Sequence, residues 1–109
     1  VVDDDWICRQ VAQELLRGHG VTVATASSGR EAVDLTTKSR FDLVFMDVQM
    51  PDLDGIETTR RIKSSPGLAR MPIIAMTADD TPPPGMDDHI VKPVEPEALA
   101  SVLAKWLPA

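Results

Sequence analysis

Apolar positions along the chain switch repeatedly between two spacings, and each switch predicts a change of element. Val1-Val2 is a very short apolar run closed by Asp3-Asp4-Asp5. Ile7, Val11 and Leu15, joined by Ala12 and Leu16, then recur at helical spacing until Gly18 and Gly20 stop the pattern. The preceding aspartates suit that helix as caps and as partners for its dipole. Val21 to Ala26 is rich in β-branched residues and reads as a strand. Ser27-Ser28-Gly29 opens a second helix that runs to about Lys38, with Ala32, Val33 and Leu35 as its apolar positions. Phe41 to Met46 is nearly unbroken apolar sequence, as expected of a parallel strand covered on both faces, and it ends at Asp47.

Met50 to Gly55 reads as a loop and Ile56 to Ile62 as a third helix, ended by Ser64-Ser65-Pro66-Gly67. Met71 to Met76 is another buried strand, ending at Thr77, and His89-Ile90-Val91 is a last short one before Lys92-Pro93. Leu99, Val102, Leu103, Trp106 and Leu107 form the apolar face of a closing helix. Helix after strand, repeated, predicts right-handed βαβ units and a parallel sheet with helices on both faces. Between Thr77 and His89 the alternation breaks: a helix is due, yet Pro82-Pro83-Pro84-Gly85 cannot lie in a helix interior and favours an extended form.

Composition narrows the function classes. The 109 residues suit one compact domain, residues 1–109, with 43% hydrophobic and 26% charged positions arguing against disorder. A formal net charge of -6 without a Lys/Arg cluster argues against nucleic-acid binding and favours divalent cations or a basic partner surface. The single cysteine, Cys8, excludes an internal disulfide and reads as a small core residue. No apolar run approaches the ~20 residues that span a membrane, so a cytoplasmic protein, or a cytoplasmic piece of a larger one, is the default.

The polar residues collect at one place. Asp3-Asp4, Asp47, Thr77 and Lys92 each end a separate predicted strand, and open α/β sheets bind ligands outside those carboxyl ends. Converging carboxylates repel one another unless a cation sits among them. Oxygen ligands without His or Cys favour Mg²⁺, or Mn²⁺ in its place, over zinc. Such an ion also binds phosphate oxygens, Lys92 neutralises another oxygen, and Thr77 can donate a hydrogen bond. A carboxylate nucleophile for phosphoryl transfer then makes chemical sense.

At these residues the chain resembles the response-regulator receiver (CheY-like) family. The resemblance rests on Val1-Val2-Asp3-Asp4, the run from Met46 through Asp47 to Gly55, Met76-Thr77-Ala78 and Val91-Lys92-Pro93. The Asp47 segment and Gly85 to His89 are most similar to receivers of hybrid sensor histidine kinases. It implies a flavodoxin-like, doubly wound five-stranded parallel sheet of order 2-1-3-4-5, with the fourth helix missing or reduced. It implies that Asp47 accepts phosphate from a phosphohistidine. Asp4 and Asp47 would bind Mg²⁺ through their side chains, Gln49 through its backbone carbonyl and Asp3 through water. Thr77 and Lys92 would contact the phosphoryl group, Lys92-Pro93 would be cis, and His89 matches the aromatic switch position that follows Thr77. The implied partners are a histidine kinase or a histidine phosphotransfer domain, with this domain attached to or part of a larger kinase or regulator. The central first strand is expected to begin a few residues before Val1.

Plainer readings stand beside these. Asp5 reads as a helix cap rather than a ligand, and Asp52 and Asp54 as shapers of the loop and third helix. His89 is open between a switch and an ordinary half-buried histidine, and Trp6 between the pocket mouth and packing. His19 reads as a loop residue and Trp106 as core. Two other function classes remain: a receiver-shaped interaction module indifferent to phosphate, and a haloacid-dehalogenase-like phosphatase. The latter needs an acid two residues after its nucleophile, where this chain has Gln49.

Overall fold

The computed structural model describes residues 1–81 and 83–107. Its elements are α1 (Trp6–Arg17), α2 (Gly29–Lys38), β1 (Val44–Asp47), α3 (Gly55–Lys63), β2 (Ile73–Thr77), β3 (Asp88–Val91) and α4 (Pro96–Trp106). Three of the four helices start on the caps the sequence offers. Asp5 accepts from Ile7 N, Ser28 from Glu31 N and Asp54 from Glu57 N, each satisfying a donor that a helix start leaves without a partner. At α4, Pro96 stands in the first turn, where a missing N–H costs nothing.

The sheet is parallel throughout, in the order β1-β2-β3. Val2 bridges in parallel to both Ala26 and Met46. The segments around Val2 and Ala26 therefore lie side by side beyond β1, and the lateral order is that of a 2-1-3-4-5 sheet. The departure from the sequence reading lies in regularity: Val21–Ala26 forms no regular strand and bridges only at Ala26, and the Val1-Val2 run contributes only the two isolated bridges of Val2. β1 likewise starts at Val44 rather than Phe41, and β2 at Ile73 rather than Met71.

Two apolar clusters sandwich the sheet. One joins Met46 and Ile73 to Ala32 and Ile62 of α2 and α3. The other joins Phe45, Ile74 and Ile90 to Leu16 of α1 and to Leu99, Val102 and Leu103 of α4. In α1 the buried face is narrower than the apolar spacing suggests. Ala12 and Leu16 point inward, whereas Ile7 and Val11 are 57% and 46% exposed. Cys8 is a half-buried free thiol rather than a core residue, and Trp106 is half-buried with its indole N–H on Asp88.

The fourth helix of the expected order is absent among the described residues. Ala78 to Thr81 and Pro83 to Asp87 instead run as bends and a turn, with Gly85 at φ +81°. Pro82, one of the three prolines expected to be extended, lies outside the described residues. The segment is nevertheless anchored. Met86 packs against the α2/α3-side cluster, Asp87 N donates to Ile73 O at 2.9 Å, and the Asp87 carboxylate accepts from Ile73 N (2.8 Å) and Lys63 Nζ (2.6 Å).

Candidate functional site

Backbone pairing brings the acids together. Val2 lies beside Met46, with Asp47 N donating to Val2 O at 2.8 Å and Asp3 N to Ala26 O at 3.1 Å. Asp3 and Asp47 therefore leave the sheet side by side at its carboxyl edge. Asp3 is fully buried and Asp47 is 4% exposed, while Asp4 turns outward to solvent. Ligand oxygens of all three lie within 4.8 Å of one another. Among the described residues no other set of three acids, histidines or cysteines converges in this way.

Lys92 completes the cluster from β3. Its backbone N donates to Thr77 O at 2.7 Å, and its peptide bond to Pro93 is cis, as the family resemblance implied. Its ammonium lies 3.1 Å from Asp3 Oδ2 and 3.1 Å from Asp47 Oδ1. Burial, and next the Asp3 charge, push the Asp47 carboxyl up to about 6, with Lys92 acting in the opposite direction. Burial also weighs against the Lys92 ammonium, but its contacts with Asp3 and Asp47 outweigh that and raise its pKa.

This donor set fits a hard divalent cation. Asp3 Oδ1 accepts from Asp5 N at 2.9 Å, but buried Asp3 Oδ2 has no hydrogen-bond partner, since the nearby ammonium lies in ion-pair range without hydrogen-bond alignment. A buried carboxylate oxygen in that state is costly, and a cation among three carboxylates removes the cost. All available ligands are oxygens, the preference of magnesium-like ions.

The other expected residues lie around this centre with differing closeness. Gln49 N donates to Asp47 Oδ1 at 3.2 Å, so the backbone at Gln49 is turned toward the acid while its side chain is exposed. Thr77 ends β2 beside Val91, and its hydroxyl oxygen accepts from Asp79 N at 3.1 Å, leaving the hydroxyl hydrogen free for a further acceptor. His89 is not in the acid cluster: its Nε2 pairs with Asp80 Oδ1 at 2.7 Å. Asp5 caps α1, and Asp54 caps α3. Asp52 adopts φ 68° and pairs with Arg30 at 2.8 Å. Trp6 does not pack; it is 66% exposed. Sequence reasoning missed Arg9, whose Nη1 donates to Asp3 O at 2.7 Å and ties α1 to the acidic turn. Its position one turn after Asp5, the N-cap, was the available signal.

Comparison with known proteins gives the same answer as the geometry. Residues 1–104 match the family described as the response regulator receiver domain, and this chain belongs to that family, the receivers of two-component phosphorelays. It is 38% identical to part of hybrid signal transduction histidine kinase A of Dictyostelium discoideum, over 97% of this chain but only 5% of that protein. A solved receiver domain of a Pseudomonas aeruginosa sensor histidine kinase, with a magnesium ion coordinated in its active-site cleft, superposes with a TM-score of 0.90. The two are 32% identical, over 96% of this chain and 92% of that one. The receiver of a Saccharomyces cerevisiae response regulator, co-crystallised with its histidine phosphotransfer protein, gives a TM-score of 0.85 at 29% identity. That match covers 96% of this chain and 84% of the other. Among the described residues no helix is long and apolar enough to cross a membrane.

Proposed function

We propose that residues 1–109 act as one receiver domain that takes a phosphoryl group onto Asp47 from a phosphohistidine. The observation that carries this reading is Asp47 itself. A buried carboxylate ends a central strand, with Lys92 Nζ 3.1 Å away and Asp3 and Asp4 oxygens within 4.8 Å. A carboxylate oxygen of Asp47 attacks phosphorus as the donor's N–P bond breaks, and the donor ring, protonated beforehand at its other nitrogen, takes the bonding pair and leaves as neutral imidazole while the acyl phosphate forms. Lys92 is placed to offset charge on the transferred group, and the free hydroxyl hydrogen of Thr77 to bond one of its oxygens. Asp3, Asp4, Asp47 and the Gln49 carbonyl would hold Mg²⁺, or Mn²⁺ with the same oxygen preference, which supplies charge neutralisation when bound. Slow loss of the acyl phosphate to water at the same site makes the domain a timer rather than a classical enzyme.

The switch rests on Thr77 and His89. Thr77 is bonded through its carbonyl to Lys92 N, and His89 lies across the β2–β3 ladder beside Ala75, held by Asp80. Redirecting the Thr77 hydroxyl away from Asp79 N would loosen the segment that Asp80 and His89 close. The partner is a histidine kinase or histidine phosphotransfer domain. The chain would be attached to or part of a larger cytoplasmic kinase or regulator, without nucleic-acid or membrane contacts of its own. The support is the net charge of -6 and the exposed Trp6, Ile7 and Val11 beside the acidic pocket. The direct test is transfer from a phosphorylated histidine phosphotransfer domain. Radiolabel passing to the wild-type chain and not to Asp47→Asn supports the reading, and equal labelling of both overturns it.

One observation favours a second reading. Bends at Ala78–Thr81 and a turn at Pro84-Gly85 stand where a helix would shape an output face, which suits an interaction module that ignores phosphate. Partner binding unchanged by Asp47→Asn would select it.

A further inference from the structure

Asp3 is fully buried, and all but one of its polar atoms are held by the turn it opens. Its N donates to Ala26 O at 3.1 Å, its Oδ1 accepts from Asp5 N at 2.9 Å, and its carbonyl oxygen accepts from Arg9 Nη1 at 2.7 Å. Oδ2 alone is left without a hydrogen bond, 3.1 Å from the Lys92 ammonium. The turn thus leaves Asp3 a single oxygen for an ion.

Arg9 is spent on this contact rather than on a surface ion pair. It follows Asp5 by four residues on α1, the spacing at which helical acids and bases pair. Arg17, Arg30, Arg60 and Arg61 each reach a carboxylate, whereas Arg9 makes no ion pair among the described residues. Its half-buried guanidinium goes to the Asp3 carbonyl, which has no other donor among the described residues. A buried carbonyl deprived of its donor is costly, and the peptide that carries it relieves the cost by turning toward water. That peptide joins Asp3 to Asp4. Turning it changes ψ of the one and φ of the other, and so moves two of the three converging carboxylates.

We propose that Arg9 is a positioning residue for the divalent-cation site, holding the Asp3–Asp4 peptide so that both carboxylates are preset against Asp47. The inference rests on the reading of these three acids as the Mg²⁺ site. Its expected effect is opposite in sign to that of the guanidinium charge. A fixed cation near the acids repels a second one, so loss of the charge alone would tighten Mg²⁺ binding. Loss of the tether frees the acids and weakens it, as removal of outer-shell support does at metal sites.

The test is calorimetric titration with MgCl₂ alone of the wild-type chain, Arg9→Met and Arg9→Lys. Methionine keeps an apolar stem on the helix without donor or charge, and lysine keeps both. Arg9→Met is expected to bind Mg²⁺ about 10-fold more weakly, with Arg9→Lys recovering part of the loss. Amide exchange at Asp5, whose N–H is held by Asp3 Oδ1, should speed up in Arg9→Met while that at Ile74 in β2 does not. Labelling of Asp47 by acetyl phosphate should fall at low Mg²⁺, and the deficit should shrink as Mg²⁺ is raised. Unchanged or tighter Mg²⁺ binding by Arg9→Met would overturn the proposal, as would a labelling deficit that excess Mg²⁺ does not lessen. Should Arg9→Met not fold, Arg9→Gln takes its place, and failure of both to fold would make Arg9 a fold residue and overturn the proposal equally. A wild-type chain that binds no Mg²⁺ would overturn the site reading itself, and this proposal with it.

Discussion

Lys92 Nζ and Asp47 Oδ1 stand 3.1 Å apart, an ion pair at the carboxyl edge of the sheet between a side chain on β3's exit and one that ends β1. The same ammonium is 3.1 Å from Asp3 Oδ2, so one cation serves two buried acids. The account gives that lysine two separable effects. Lys92→Gln is expected to lower Asp47 labelling by acetyl phosphate at least ~10-fold, since charge on the transferred group loses its neutraliser. Divalent-ion affinity, read by calorimetry, should hold or tighten, because the ammonium no longer competes for the same carboxylates. Loss of both together would mean that Lys92 only supports the fold.

Gly55 sets how closely α3 approaches β1. A Cβ there would overlap the Asp47 carbonyl oxygen, while Gly55 N already donates to Val48 O at 3.0 Å. Gly55→Ala is expected to cost about 1–3 kcal/mol through overpacking, measured by urea unfolding. A neutral result would show that the loop from Val48 to Asp54 yields without cost.

Asp88 ties β3 to the last helix. The Trp106 indole N–H donates to its Oδ2 at 2.8 Å, and that bond first, followed by the His89 amide, holds the Asp88 carboxyl below the usual carboxylate range. A depressed folded-state pKa contributes stability that is complete above the unfolded value of about 3.9 and is lost as pH falls through the folded one. The Trp106 indole proton resonance should therefore stay fixed down to about pH 4 and move only below it. In Asp88→Asn the same resonance should be flat across that range. Movement at higher pH would contradict the pairing.

Ile7 and Val11 are exposed on α1 next to the acidic turn. Paired substitutions Ile7→Asp and Val11→Asp should slow transfer from a phosphorylated histidine phosphotransfer domain about 10-fold or more, as loss of an apolar contact predicts. Labelling by acetyl phosphate should be unchanged, because neither side chain is bonded to Asp3, Asp4, Asp47 or Lys92. Equal slowing with both donors would place the effect in folding rather than docking.

Much of this was legible in the residues, for physical reasons that also explain the exceptions. Asp3, Asp4, Asp47 and Lys92 stood at ends of apolar runs, and parallel pairing of those runs necessarily brings strand ends together. Pro83, Pro84 and Gly85 announced the loop that replaces a helix. Val21 to Ala26 misled because β-branched composition reports fitness for a strand, whereas regular pairing also needs a neighbour along its whole length. Ile7 and Val11 misled because spacing defines a helix face but not what covers it. His89 was read as a switch residue through its match to the family's aromatic switch position, and its ring bonds Asp80 across the loop, a contact nine residues apart that no periodicity encodes.

The central claim is that Asp47 carries the phosphoryl group. Intact-mass spectrometry after incubation with acetyl phosphate tests it most directly, with and without Mg²⁺ and with Asp47→Asn alongside. The account expects one added phosphoryl group that requires Mg²⁺ and is absent from Asp47→Asn. No adduct after rapid quenching, or the same adduct on Asp47→Asn, would contradict it.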